Sequence, residues 1–319
     1  MNDIERYGPQ NDGDTSLTRR CRLLQSWYRV EVLGQSECGP FRVGGRRVGN
    51  VLVGGEETGA NFLSQAAFEY AKEKVAEKAS NPDLTIDEYR LFNNMLSSMP
   101  MCFNLFSDLR GGVLAGNPEA TSVLCALFRE APIATVEYVE VEMIPRPTRE
   151  YIDDKTAFDA AVLYRDESGR PGIVTIETKY TDKLGGNKAS QEQRKFELAE
   201  ALGLFTRDGL DWYRGNGFDQ VTRNLLLTFA YAVRHGLAHA SNYVLAPEQD
   251  DEAPRKVHAL RKRLNTPFRG AIRFLALEDA VGRGLSAGLS EFGDLFKAFR
   301  RRYLDFSPVD ALRSAALHQ

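Results

Sequence analysis

The sequence predicts an α/β protein in which helices flank a mixed β-sheet, with core elements ordered α-β-β-β-α-β behind an N-terminal helical and β-containing elaboration. Three observations carry this prediction. Residues 156–164 and 173–180 are apolar, strand-like runs separated by a stretch holding Ser168-Gly169 and Pro171-Gly172, which is a hairpin signal. Further strand-length apolar runs at Thr135–Met143, 242–246 and 272–277 alternate with longer segments of helical periodicity. The second hairpin run, with Ile173, Val174 and Ile176, is too apolar for an exposed strand, so the hairpin belongs to a buried sheet.

Taken in order, residues 1–60 hold strand-like pieces at 27–33 and 41–53, broken by Gly44-Gly45 and Gly54-Gly55, and predict an irregular β-containing region. Residues 60–79 show helical spacing through Leu63, Ala67, Tyr70 and Ala71. A second helix is expected over 85–99, with Asp87 and Glu88 suited to its first turn and Pro100 interrupting it. After Phe103-Asn104-Leu105-Phe106 a turn is expected at Gly111-Gly112. Residues 118–130 then read as a helix opened by Pro118, with Val123, Leu124, Leu127 and Phe128 as its apolar stripe. Beyond the hairpin, helices are expected over 189–204, 218–234, 252–264 and 290–303. The implied organisation is an N-terminal region, 1–115, packed on a core of 116–319 that ends in basic helices. No internal repeat or low-complexity tract interrupts it.

At 319 residues the chain can bury one sizeable core or two smaller ones, and 43% hydrophobic with 27% charged residues is ordinary for a soluble globular protein. No signal-peptide pattern opens the chain, and no apolar run approaches the ~20 residues that cross a bilayer, so a cytoplasmic protein without membrane contact is expected. Cys21, Cys38, Cys102 and Cys125 lack C-x-x-C spacing and read as buried thiols. His235 and His239 are four apart, yet Gly236, Leu237 and Ala238 fill the gap where a zinc peptidase carries glutamate, and His258 and His318 are isolated. A phosphate-binding G-x-x-x-x-G-K-[ST] loop is absent. Net charge is −3, which argues against indiscriminate coating of nucleic acid, but residues 251–319 carry 13 Lys/Arg against 8 Asp/Glu. Clusters at Arg255-Lys256, Arg261-Lys262-Arg263 and Arg300-Arg301-Arg302 offer a local positive surface that either guides a phosphate backbone or decorates solvated helix faces.

Chemistry concentrates on the hairpin. Asp159 lies in its first strand, and Glu177-Thr178-Lys179 ends its second. Strand side chains alternate, so Glu177 and Lys179 share one face about 7 Å apart. Two carboxylates and an ammonium at one end of a buried sheet suit a hard divalent cation and a water aimed at a phosphodiester. Lys179 beside two acids is expected to stay protonated, giving it an electrostatic role ahead of a general-base role.

Phe158-Asp159 and Ile176-Glu177-Thr178-Lys179-Tyr180 resemble the motif of the PD-(D/E)xK nuclease superfamily, with Phe158 where the motif's proline would stand. That resemblance implies a restriction-endonuclease-like core. The segment from Arg90 to Phe106, with Glu142-x-x-Pro145-Arg146 and the hairpin, further resembles a bacterial family designated restriction endonucleases within that superfamily; the likeness spans residues 61–227. Mg²⁺, with Mn²⁺ able to substitute, is the cofactor expected on Asp159 and Glu177, and the resemblance adds the Thr178 backbone carbonyl. Glu142, which strict alternation places on one face with Glu140 and opposite Glu137, is a candidate second-metal or water-positioning ligand or else an acid on an exposed face. Glu69, on the early helix, either leans into the site, as the resemblance implies for a helical acid, or is a solvated helix position, the reading the sequence favours. Gln220, Arg223 and Asn224 share a helix face by i, i+3 and i+4 spacing; Gln220 and Arg223 are candidates for contacting the scissile phosphate or the lysine-side water, and Asn224 for binding nucleic acid, against a capping and surface role. The expected partner is DNA, with RNA open, and a homodimer where both strands are cut. Two functions remain open at this point: a metal-dependent endonuclease, and a nuclease-derived binding or structural protein that no longer cuts.

Overall fold

Strands β1 (Thr135–Met143), β2 (Phe158–Arg165), β3 (Pro171–Thr178), β4 (His239–Ala246) and β5 (Ile272–Ala276) lie side by side in chain order in one mixed sheet. The computed structural model describes residues 5–42, 44–81, 83–182 and 193–317. β1 pairs antiparallel with β2 and β2 with β3, while β3, β4 and β5 run parallel. Geometry explains the split: antiparallel neighbours need a short turn, whereas parallel neighbours need a long crossover.

Helices α1 (Ser16–Trp27), α2 (Gly55–Thr58), α3 (Gln65–Ser80), α4 (Glu88–Asn93), α5 (Ser98–Leu114) and α6 (Pro118–Leu127) precede the sheet. The β3–β4 crossover carries α7 (Gln193–Ala201), α8 (Arg207–Asn216) and α9 (Gln220–Arg234), and the β4–β5 crossover carries α10 (Glu252–Arg263). Then follow α11 (Leu277–Ala287), α12 (Glu291–Tyr303) and α13 (Ser307–Leu317). The sheet separates two cores. Val139, Val141, Ala160, Val162, Val174 and Ile176 face a core shared by α1, α3–α6 and α11–α13, whereas Ala161, Ile173 and Val244 face one built by α7–α10. The expected α/β class with a mixed sheet is therefore the observed one.

Several element expectations need correction. Among the described residues the predicted strand pieces at 27–33 and 41–53 do not form: α1, capped by Thr15 Oγ1 accepting from Thr18 N–H, runs into a wider helical turn over Tyr28–Val32. Its buried face carries Arg22, Gln25 and Ser26, with Arg29 beyond, so apolar periodicity is masked. Their polar atoms are satisfied by long-range partners; Arg29 Nε donates to Gly49 O and Gln25 Nε2 to Arg302 O. Residues 85–99 form two elements, because Asn94 accepts from Leu96 N–H and Ser97 caps a new helix, and Pro100 falls in that helix's first turn, where a missing N–H costs little. Gly111-Gly112 are helical, not a turn, and a Cβ on Gly112 would stand 2.7 Å from the Phe292 ring. The start expected at residue 189 for α7 and His318 lie outside the described residues.

Candidate active site

The hairpin register sets the site. Val141 pairs with Ala160 and Ala160 with Ile176, so the next rung holds Glu142, Asp159 and Glu177 abreast on β1, β2 and β3. Neighbouring strands are about 4.8 Å apart, which puts three acids in one row at the end of the sheet. Glu142 reaches this row through a left-handed backbone, φ 54°, unusual for a residue with a Cβ. Strict alternation consequently fails on β1: Val139 and Val141 face the first core, yet Met143, two residues on, belongs to the second. Glu140 is held at 2.6 Å by Lys74 of α3, and Glu137 by Arg165.

Each acid is held by a named set of donors. Asp159 Oδ2 accepts from the Thr178 amide at 2.6 Å and the Thr178 hydroxyl at 2.8 Å. Glu177 has no exposed surface; Gln220 Nε2 donates to its Oε1 at 2.6 Å, Asn224 Nδ2 donates to its Oε2, and Lys179 Nζ lies 2.6 Å from Oε1. Lys179 N–H donates to Leu245 O, extending the β3–β4 pairing past Thr178. Behind the row, Cys102 Sγ of α5 donates to Asp159 O, and burial pushes that thiol well up. Asp182 accepts from Arg90 Nη2 at 3.0 Å and Ser98 N–H at 3.1 Å, tying the chain after Lys179 to α4 and α5.

Electrostatically the row is incomplete. Burial first, then the charges of Asp159 and Glu177, hold the Glu142 carboxyl above its ordinary range. Enclosure by protein and then Glu177 do the same to Asp159, against Lys179 and the Thr178 hydrogen bonds. Burial works against the Lys179 ammonium, but Glu177 and Asp159 outweigh it and raise the group. Among the described residues no three His, Cys, Asp or Glu stand in a ready-made metal cage. The donor set nevertheless fits a hard divalent cation. It offers carboxylate oxygens against one ammonium, and the buried Asn224 Oδ1 beside Glu177 lacks a hydrogen-bond partner.

Comparison with known proteins decides the family. The sequence model of the PD-(D/E)XK nuclease superfamily matches residues 12–305. The chain belongs to this superfamily. No curated protein and no solved structure matches it. Membership in the PD-(D/E)XK nuclease superfamily implies a nucleic-acid substrate and agrees with the mixed sheet described above. No described helix is long and apolar enough to cross a membrane.

Of the remaining sequence candidates, Gln220 and Asn224 converge on Glu177, and Arg223 does not join them. Its guanidinium turns 3.9 Å from Asp154, which also binds the buried Lys195 at 2.8 Å. Asn224, expected at nucleic acid, is instead wholly buried, so a direct contact with a polynucleotide is not available to it in this arrangement. Glu69 is exposed and accepts from Gln65. His235 bonds Tyr151 and His239 bonds Asp166, so these two do not share a site. Sequence reasoning missed Thr228, four residues past Asn224 on the same face of α9, whose hydroxyl meets Thr175 Oγ1 at 2.7 Å and donates to Asn224 O. The spacing Gln220, Asn224, Thr228 was the available signal. Of the basic clusters, Arg302 is wholly buried against Asn61 and Gln25, and Arg263 stacks on Trp212.

Proposed function

We propose that the chain is a divalent-metal-dependent endonuclease that hydrolyses DNA phosphodiester bonds, with Mg²⁺ as its cofactor and Mn²⁺ as a substitute. The observation that carries this reading is the row of Glu142, Asp159 and Glu177 on adjacent strands, with Lys179 2.6 Å from Glu177. Asp159 and Glu177, with the Thr178 carbonyl and Glu142, would hold the cation. When bound, Mg²⁺ supplies charge neutralisation and lowers the proton affinity of water. Lys179, protonated between its acids, donates hydrogen bonds to the attacking water and the phosphate rather than removing a proton. Water oxygen bonds to phosphorus and gives up a proton to bulk solvent as the bond to the departing sugar oxygen breaks, and that oxygen takes up a proton from solvent, leaving a phosphomonoester and a free hydroxyl. Gln220 and Asn224 keep Glu177 oriented throughout. Arg223, on the same helix, is assigned to the approach of the phosphate backbone.

The likeness to bacterial restriction endonucleases supports a role in restriction or anti-phage defence. With one acid row per chain, cutting both strands takes two copies, and a homodimer is the expected working unit. A rival reading, a nuclease-like protein that binds without cutting, draws on the saturation of Glu177 by Gln220, Asn224 and Lys179. Nicking and linearisation of supercoiled plasmid with added Mg²⁺ or Mn²⁺ separate the two. Wild type should cut, while Asp159→Ala and Lys179→Ala should each lose at least about 100-fold. Cleavage that survives both substitutions would exclude this site as its source, and tight binding without cutting by wild type would favour the rival.

A further inference from the structure

At the free edge of β5, between α10 and the α6–α11 side of the sheet, lies a cavity of about 300 Å³ whose walls include Arg261, Arg273, Arg283, His258, Tyr243 and Glu130. This volume is at the lower end of small-ligand sites, roughly 300–1,000 Å³. Glu130 is already committed. Arg283 grips it with both terminal nitrogens, at 3.0 and 3.2 Å, and Tyr243 donates to it at 3.2 Å. Arg261 donates Nε–H to Ile272 O at 2.9 Å, which anchors the side chain but leaves its charge unmatched. Neither Arg261 nor Arg273 has an ion-pair partner among the described residues, and the Arg273 guanidinium makes no hydrogen bond there either.

Two partly buried guanidinium groups converging without a carboxylate is an unfavourable arrangement for the protein alone, and an anion relieves it. Burial, and then the neighbouring charge of Arg273, lowers the Arg261 guanidinium, in keeping with that proximity. Guanidinium presents paired N–H donors that match phosphate oxygens two at a time. We propose that this pocket binds a phosphomonoester dianion. Charge selects the class: two unmatched positive groups balance a terminal phosphate, whereas a backbone phosphodiester brings one negative charge and an extended chain on both sides. The site is separate from the acid row. Glu177, Val244 and Phe274 share one rung, so β5 stands two strands, about 10 Å, from β3. Arg273 sits on the rung of Tyr243, facing the opposite side of the sheet from Val244.

A phosphomonoester comes either as a free nucleotide or as the phosphorylated end of a strand. Titration calorimetry on the full chain in EDTA, where no cleavage occurs, tests both. The probes are deoxyadenosine 5′-monophosphate and a short single-stranded oligodeoxynucleotide carrying either a 5′-phosphate or a 5′-hydroxyl. Wild type should bind the mononucleotide or gain affinity from the 5′-phosphate, the first pointing to a free nucleotide and the second to a strand end. Arg261→Gln and Arg273→Gln should each weaken that binding at least about tenfold, the scale of one charge-assisted hydrogen-bond pair. Lys262→Gln, exposed on the same helix, should leave it unchanged, and Arg273→Lys, which keeps charge and fold, should fall between. Equal binding by wild type and both glutamine variants would overturn the proposal. So would wild type that binds no mononucleotide at millimolar concentration and treats the two oligonucleotides alike.

Discussion

A carboxylate stripped of all solvent contact keeps its place only if donors replace the water it lost, and Glu177 has Gln220, Asn224 and Lys179 doing so. Of the three, Asn224 is wholly buried and meets Glu177 directly, so under the proposed function it acts as a positioning residue. Asn224→Ala should therefore lower plasmid cleavage about 10–100-fold while Asp159 and Lys179 stay in place, and the apparent affinity for Mn²⁺ should weaken with it. Asn224→Asp is the sharper variant. It sets a second buried carboxylate against Glu177 and should cost on the order of 3 kcal/mol of stability in urea unfolding without metal. Added divalent cation should return part of that loss. If Asn224→Asp unfolds at the wild-type urea concentration, the proposed contact with Glu177 is not made in solution.

Among the elements, α5 tests whether packing or propensity governs a glycine. Gly111 has open space around its absent Cβ, whereas a Cβ on Gly112 meets Phe292 at 2.7 Å and Ala120 Cβ at 2.8 Å. Gly111→Ala should thus stabilise by up to about 1 kcal/mol through helix propensity, and Gly112→Ala should destabilise although the propensity gain is the same. Thermal unfolding of the pair reads out the difference. The β2–β3 turn offers a test against pH. Asp166 accepts from His239 Nε2, Arg170 Nε and the amides of Ser168 and Arg170, and these bonds, His239 first, hold its carboxyl far below the ordinary range. A carboxyl depressed in the folded chain stabilises above the unfolded value, about 3.9, and loses that contribution as pH falls through the window below it. Asp166→Asn should accordingly be less stable than wild type at pH 7, and the gap should begin to narrow as pH falls below about 4 without closing at pH 3, since the folded carboxyl is still ionised there; a gap that stays constant through that window would refute the assignment. These elements also mark what could be read in advance. The hairpin was legible because its alternation and its turn residues agree, and the register then follows for Asp159 and Glu177. Helix α1 was not, since buried Arg22, Gln25 and Arg29 erase the apolar stripe that a one-dimensional pattern requires. Helix α8 was hidden by Gly209, whose missing side chain admits Arg263 O at a distance no Cβ tolerates. Glu142 entered the acid row through a backbone turn that alternation cannot foresee.

Across the whole molecule, the two cores clamp the sheet from both sides and hold three acids together at its end against their mutual repulsion. Such an arrangement trades stability for a site. Asp159 is the place to measure the trade, because asparagine keeps an acceptor oxygen for the Thr178 amide and hydroxyl while removing one charge from the row. In chelator, Asp159→Asn should melt at a higher temperature than wild type, by the equivalent of about 1 kcal/mol. With Mg²⁺ at a hundredfold excess over its dissociation constant, the wild type should gain about 2.7 kcal/mol and overtake the variant, which should gain almost nothing. Differential scanning calorimetry with and without metal checks both halves. A wild type indifferent to Mg²⁺ and Mn²⁺ would detach the acid row from cation binding, and a variant that melts lower in chelator would mean that the Thr178 contacts, rather than carboxylate repulsion, dominate the energetics of this end of the sheet.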